Sequence, residues 1–233
     1  MKTKLLTICA VAACMMLGTG CRFHPKWEDG HRKSCTDGER TLASGKLVSE
    51  DRSVGPFHGV RLEGIGTVKI KQAAEASVRV EADDNIISDV KTEVNAGILT
   101  VWMEGDSYEH PTVIVNLAVK ELDDLKLSGA GDIESDGPLQ CDDLRCSLSG
   151  AGNITLSGKA LNLEVSLSGA GNLSAEELEA EVCDARVSGV GNCDVNVSKE
   201  LRATVSGVGR IRYSGNPSTV KEEVTGLGKI QKR

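Results

Sequence analysis

The sequence predicts an all-β fold, a β-solenoid with coils of about 18–21 residues, on three observations. A short motif recurs six times, at Leu127-Ser-Gly-Ala-Gly131-Asp-Ile133, Leu148-Ser-Gly-Ala-Gly152-Asn-Ile154, Leu167-Ser-Gly-Ala-Gly171-Asn-Leu173, Val187-Ser-Gly-Val-Gly191-Asn-Cys193, Val205-Ser-Gly-Val-Gly209-Arg-Ile211 and Val224-Thr-Gly-Leu-Gly228-Lys-Ile230. Its Ser or Thr falls at 128, 149, 168, 188, 206 and 225, spacings of 21, 19, 20, 18 and 19. The composition also suits stacked strands: 39% apolar residues and 26 glycines, but only 3% aromatics.

The chain opens on an export signal. Lys2 and Lys4 give it a positive start, Leu5 to Leu17 an apolar stretch, and Gly18-Thr19-Gly20 small residues before Cys21. About 13 apolar residues fall short of the roughly 20 that span a bilayer. Leu17-Gly18-Thr19-Gly20-Cys21 resembles a bacterial lipobox, displaced by one place because Gly18 sits where the aliphatic residue usually stands. The resemblance implies cleavage after residue 20 and acylation of Cys21, with ordinary cleavage and release as the alternative. Residues 21–47 then read as a flexible tether, with Pro25, Gly30, Gly38 and Gly45 among many charges. The remaining span, 48–231, reads as one domain, its regular repeats filling 121–231.

Within the repeats the register is explicit. Counting from the Ser or Thr, position −1 holds Leu127, Leu148, Leu167, Val187, Val205 and Val224, and position +5 holds Ile133, Ile154, Leu173, Cys193, Ile211 and Ile230. Position −3 holds Leu125, Cys146, Val165, Ala185 and Ala203 before Glu222 breaks the series. Alternate residues share one face of a strand, so stacking turns each set into an interior column. The Gly-x-Gly between them predicts a corner, where glycine admits positive φ or close backbone approach. A phosphate-binding loop is excluded, since it would occur once and lead into a helix. Asn153, Asn172 and Asn192 share position +4 and predict an amide ladder.

Upstream, residues 48–120 alternate like strands at Val60/Leu62, Val68/Ile70, Val78/Val80 and Ile98/Thr100/Trp102, with Gly64-Ile65-Gly66 as a weaker seventh copy of the motif. They predict either irregular coils of the same solenoid or a β-layer covering its first edge. Asp84–Val90 predicts a loop or one helical turn, and Asn95-Ala96-Gly97 a turn.

Phe57-His-Gly-Val60, Gly64-Ile-Gly66-Thr-Val68-Lys-Ile70-Lys-Gln72, Val78-Arg-Val80-Glu-Ala-Asp83-Asp-Asn85 and Gly97-Ile-Leu99 resemble the opening half of the head GIN domain family of auto-transporter adhesins. Ile211-Arg-Tyr213-Ser-Gly215-Asn-Pro217 and Val224-Thr-Gly-Leu-Gly228 are similar to its end, so the resemblance covers roughly residues 50–231. It implies a right-handed parallel β-helix-like fold in a bacterial envelope protein, and it brings no catalytic residues with it.

No catalytic site, metal site or cofactor is expected. Net charge is −7, or −9 once Lys2 and Lys4 are removed; the charges are spread without a basic block, which argues against nucleic acid. Beyond the signal stand Cys35, Cys141, Cys146, Cys183 and Cys193; Cys146 and Cys193 fall in apolar columns, and the pairings 183–193 and 141–146 stay open. His24, His31, His58 and His110 lack a nucleophile partner in sequence. Acidic pairs at Asp83-Asp84, Asp123-Asp124, Asp142-Asp143, Glu176-Glu177 and Glu222-Glu223 keep a polysaccharide hydrolase or lyase as the alternative, weakened by the scarcity of aromatic platforms. The main expectation is a non-enzymatic adhesin or surface scaffold. Its partners would be the membrane, through lipid on Cys21, and a protein or glycan ligand, with a homo-oligomer left open. The expected place is the outer membrane of a Gram-negative cell envelope.

Overall fold

A computed structural model describes residues 40–105 and 107–233. The expected signal, Cys21 and Cys35 lie outside the described residues.

The strands in chain order are β1 (Thr41–Leu42), β2 (Leu47–Arg52), β3 (Gly59–Leu62), β4 (Ile65–Gln72), β5 (Ser77–Asp83), β6 (Val90–Asn95), β7 (Ile98–Met103), β8 (Tyr108–Glu109) and β9 (Val113–Val119). The repeats add β10 (Asp124–Leu127), β11 (Ala130–Ser135), β12 (Leu139–Leu148), β13 (Ala151–Leu167), β14 (Ala170–Val187), β15 (Val190–Val205), β16 (Val208–Ser214), β17 (Thr219–Val224) and β18 (Lys229–Lys232). One 3-10 turn, Ile87–Asp89, lies where the helical turn or loop was expected.

The repeats stack in parallel with the predicted register. Leu62, Leu127, Leu148, Leu167, Val187, Val205 and Val224 pair in succession from coil to coil. Val68, Ile133, Ile154, Leu173, Cys193, Ile211 and Ile230 do the same. From Leu62 to Val205 and from Val68 to Ile211 these side chains are at most 1% exposed, so the two columns form a dry interior. Each coil also turns between its second and third straight stretches. In β12 both Asp142 and Asp143 are exposed, which breaks the in-out alternation and marks a corner.

The Ser-Gly corner is built by contact between coils. Ser149 and Ala151 donate backbone hydrogen bonds to Leu127 and Gly129 of the preceding coil at 2.9 and 3.0 Å, and the next coil repeats this with Ser168 and Ala170. A Cβ on Gly150 would collide with the Gly129 carbonyl oxygen. Close approach therefore selects this glycine; of the residues around it only Gly152, at φ +148°, also needs the left-handed region.

Residues 48–120 combine both expected arrangements. β3 and β4 form a true coil, pairing in parallel with β10 and β11, and Gly66 stacks on Gly131 as the seventh motif copy. The next coil in sequence, β7 and β9, pairs on the opposite side of β3 and β4, so it lies outermost in the stack. Antiparallel strands extend the sheet at that end: β6 on β7, β5 on β9, and β2 on β5. The β6–β7 turn uses Ala96 and Gly97 at φ +49° and +79°, the positive pair of a tight hairpin.

Residues 41–47, expected as loose tether, are tied to this end. β1 pairs with β8, and the backbone N–H of Gly45 donates to the carboxylate of Asp83 at 2.8 Å. Asp83 is 1% exposed and its second oxygen accepts from Thr112 at 2.9 Å, so the acid joins two connecting segments from inside.

Cys141, Cys146, Cys183 and Cys193 are all buried free thiols, and neither candidate pairing forms. Burial pushes the Cys141 thiol up to about 11 and that of Cys183 up to about 12. They serve as small core residues. Among the described residues no helix is long and apolar enough to cross a membrane.

Candidate functional site

The side chains that point out from the coils also fall into rows. At position −4 the row runs Asp124, Arg145, Glu164, Asp184, Arg202, Lys221, each in register with the next. The parallel register places such neighbours about 4.8 Å apart, close enough for opposite charges to pair along the stack.

A groove of about 770 Å³ opens over this row, lined among others by His58, Asp123, Asp124, Asp143, Arg145 and Glu164. Its two halves differ. Toward the C-terminus the charges are matched: Arg145 Nε meets Glu164 Oε2 at 3.0 Å, Arg186 meets Glu164 Oε1 at 3.1 Å, and Arg186 meets Asp184 at 2.5 Å. The Arg145 guanidinium holds the Glu164 carboxyl below the usual range, with Arg186 adding to it. Glu164 in turn raises Arg145.

Toward the N-terminus carboxylates predominate. Asp123, Asp124 and Asp143 gather there; His58 Nδ1 lies 2.7 Å from Asp123 Oδ1, and Asn162 donates to Asp143 at 2.7 Å. His58 reaches Asp123 because the chain, returning from the outermost coil, passes beside β3 and donates from Asp123 N–H to the His58 carbonyl at 3.0 Å. A smaller recess of about 470 Å³ next to it adds Glu121 and Asp142. Read coil by coil the charges are uneven: residues 121–185 carry fourteen acidic against three basic side chains, and 186–233 four against nine. The impression of evenly spread charge therefore fails once the coils are stacked.

The remaining acidic pairs do not converge on a site. Asp83 is buried, Asp84 pairs with Lys46 at 3.1 Å, and Glu176 pairs with Arg233. His110 sits exposed at 4.0 Å from Glu109. Among the described residues no three His, Cys, Asp or Glu side chains are placed to hold a metal ion. The groove carboxylates are ion-pair partners and solvated acids. Glu164 is shifted toward ionisation, opposite to what a general acid requires.

The predicted amide ladder forms on the adjoining face. Asn192 donates to Asn172 at 2.9 Å, Asn172 to Asn153 at 3.0 Å, and Asn153 to Asp132 at 2.8 Å. All four amide or carboxylate groups are used along the stack, which makes the ladder a coil-to-coil fastener. The −4 charge row is present in the sequence at the same count from the motif Ser or Thr, but its mixed signs give it no single residue type to mark it.

The described residues thus form a parallel solenoid with a charged lateral groove. The chain belongs to the family described as "Putative auto-transporter adhesin, head GIN domain", whose signature matches residues 56–217. It is similar in fold to a "putative adhesin" of Bacteroides fragilis, with a TM-score of 0.69, 22% identity, and coverage of 82% of this chain and 99% of that one. A "putative adhesin" of Parabacteroides distasonis is similar with a TM-score of 0.53 and 23% identity, covering 84% and 100%. A "putative lipid binding protein" of the same organism is similar with a TM-score of 0.53 and 20% identity, covering 84% and 100%. No curated protein matches the chain.

Proposed function

We propose that this protein is a non-enzymatic adhesin of the bacterial cell envelope, exported by residues 1–20, held in the outer membrane by acyl chains on Cys21 and spaced from it by the segment that follows. Its solenoid presents the acidic half of the lateral groove, around Asp123, Asp124 and Asp143, to a protein or glycan ligand with positively charged groups. One observation supports this reading above the others: charges held in fixed rows on a parallel stack.

Two measurements test it. Fractionation and acyl labelling should place the wild-type protein in the membrane with lipid attached, and Cys21→Ser should lose both. Immobilised body should retain material from envelope extract or a glycan panel, and the triple change Asp123→Asn, Asp124→Asn, Asp143→Asn should weaken retention more as salt is lowered. Failure to retain anything, together with cleavage of acidic glycans, would reverse the ranking in favour of a polysaccharide-active enzyme.

A further inference from the structure

The Ser-Gly corner turns two further rows of side chains to solvent, two and four residues after the motif Ser or Thr. The first row is Ala130, Ala151, Ala170, Val190 and Val208, paired in succession from coil to coil and all exposed. Leu227 continues it, donating its backbone N–H to the Gly207 carbonyl as Val208 does to that of Gly189. The second row is Asp132, Asn153, Asn172, Asn192, Arg210 and Lys229, in the same register.

Both rows change together along the stack. The first grows from Ala through Val to Leu while the second passes from acid through amide to cation. Val190, Val208 and Leu227 are 61%, 53% and 88% exposed. Val190 and Val208 have coils on both sides, so their exposure belongs to the corner and not to an end of the stack. Ion pairs nearby use Arg212 with Asp194 and Arg233 with Glu176, and leave Arg210 and Lys229 without one among the described residues. The row on the other flank, Ser188, Ser206 and Thr225, carries no charge, and beyond it Arg186 and Glu223 are opposite in sign. We infer that the corner bearing Val190, Val208 and Leu227 is a docking edge for a lipid surface with anionic headgroups, its aliphatic tips entering the interface while Arg210 and Lys229 meet the headgroups.

Shape and charge select this partner. The aliphatic row is one side chain wide on a convex corner, and its three large tips, about 4.8 Å apart, span only about 10 Å. A stable protein interface buries about 800 Å² on each partner, which such a ridge does not offer. A fluid lipid surface needs no matching shape, and it takes apolar tips and basic flanks at two depths of the same interface. The charge along the stack then sets the orientation. Residues 186–233, with nine basic against four acidic side chains, are attracted to an anionic surface, and residues 121–185, with three against fourteen, are repelled. Docking through these coils therefore leaves the acidic half of the lateral groove turned to solution.

The test uses the chain from residue 22 onward, made without lipid; it holds every described strand, and its outcome does not depend on acylation of Cys21. It is sedimented with vesicles of phosphatidylcholine alone and of phosphatidylcholine mixed with phosphatidylglycerol. Wild type should bind the mixed vesicles, more tightly as salt is lowered, and not the neutral ones. Arg210→Gln with Lys229→Gln should weaken binding by roughly tenfold to thirtyfold, at about 1 kcal/mol per basic residue. Val190→Ser, Val208→Ser and Leu227→Ser together should weaken it at least about tenfold, with far-ultraviolet circular dichroism unchanged. Val208→Ser alone should act in the same direction and carries the test if the triple variant fails to fold. The control Lys159→Gln with Lys199→Gln takes the same charge from cations already paired with Glu179 and Glu181, and should bind as wild type does. The inference is overturned if wild type ignores the mixed vesicles or binds both kinds alike, if the folded ridge variants bind as wild type does, or if the control weakens binding equally. Without vesicle binding, loss in the serine variants of a dimer, or of a protein retained from envelope extract, would assign the ridge to that partner instead.

Discussion

Val205 and Val224 occupy the same interior column one coil apart, Val205 fully buried and Val224 46% exposed. Replacing each by alanine is the same chemical change in two depths of one stack. At Val205 it deletes two buried carbons, about 1.6 kcal/mol of transfer free energy at about 0.8 per methylene. A cavity contribution raises this to about 2–3 kcal/mol, since coils hydrogen-bonded on both sides cannot close over the gap. At Val224 solvent already reaches about half of the side chain, so the cost should stay under about 1 kcal/mol. For a body of this size about 1 kcal/mol moves the melting midpoint by roughly 2–4 °C. Val205→Ala should therefore lower Tm by roughly 4–12 °C and Val224→Ala by no more than about 4 °C, read by calorimetry or circular dichroism. Equal shifts, or a larger one at Val224, would refute the claim that the columns draw their stability from being enclosed between coils.

Three further outcomes follow from the same structure. Asp83→Ala removes a buried carboxylate that accepts from Gly45 and Thr112; two charge-assisted hydrogen bonds at about 1.5–3 kcal/mol each predict a loss of about 3 kcal/mol or more in denaturant titration, with earlier proteolysis near residues 41–47. The thiols of Cys141 and Cys183, raised by burial to about 11 and about 12, together with buried Cys146 and Cys193, should resist a thiol reagent at pH 8 and react only after unfolding; rapid labelling of the native body would contradict the packing. Glu164 is held below the ordinary carboxyl range by Arg145, so its contribution is complete above the unfolded glutamate pKa and fades as pH falls through the lower folded value. An NMR titration should find its midpoint below the ordinary glutamate range, and Arg145→Ala should move it upward; an unchanged midpoint would mean the pair does not persist in solution.

How far the sequence reveals this molecule depends on whether a feature repeats. The columns through Leu148 and Ile154 are legible because each coil restates them at one distance from a Ser-Gly corner, and the Asn153–Asn172–Asn192 ladder is legible for the same reason. The charge row through Arg145 and Glu164 recurs at the same position, but its sign changes without a fixed period, which looks like scatter until the coils are aligned. The outermost coil of β7 and β9 has no glycine corner to announce it, and its place below β3 and β4 is decided by long-range pairing. His58 and Asp123 are 65 residues apart and meet only because of that placement. Asp83, adjacent to an exposed Asp84, reads as half of a surface pair; only the fold shows that it turns inward toward two backbone donors.

From β10 onward, order along the chain and order along the stack coincide. A polypeptide appearing N-terminus first, from a ribosome or a translocation pore, would have its foundation finished once residue 119 is out, because the lowest layer and the antiparallel strands beside it are already present. Every further twenty or so residues could then be laid on a completed step without waiting for anything downstream. Growth of this kind is sequential and local, which spares a parallel sheet the slow search that distant strands usually impose.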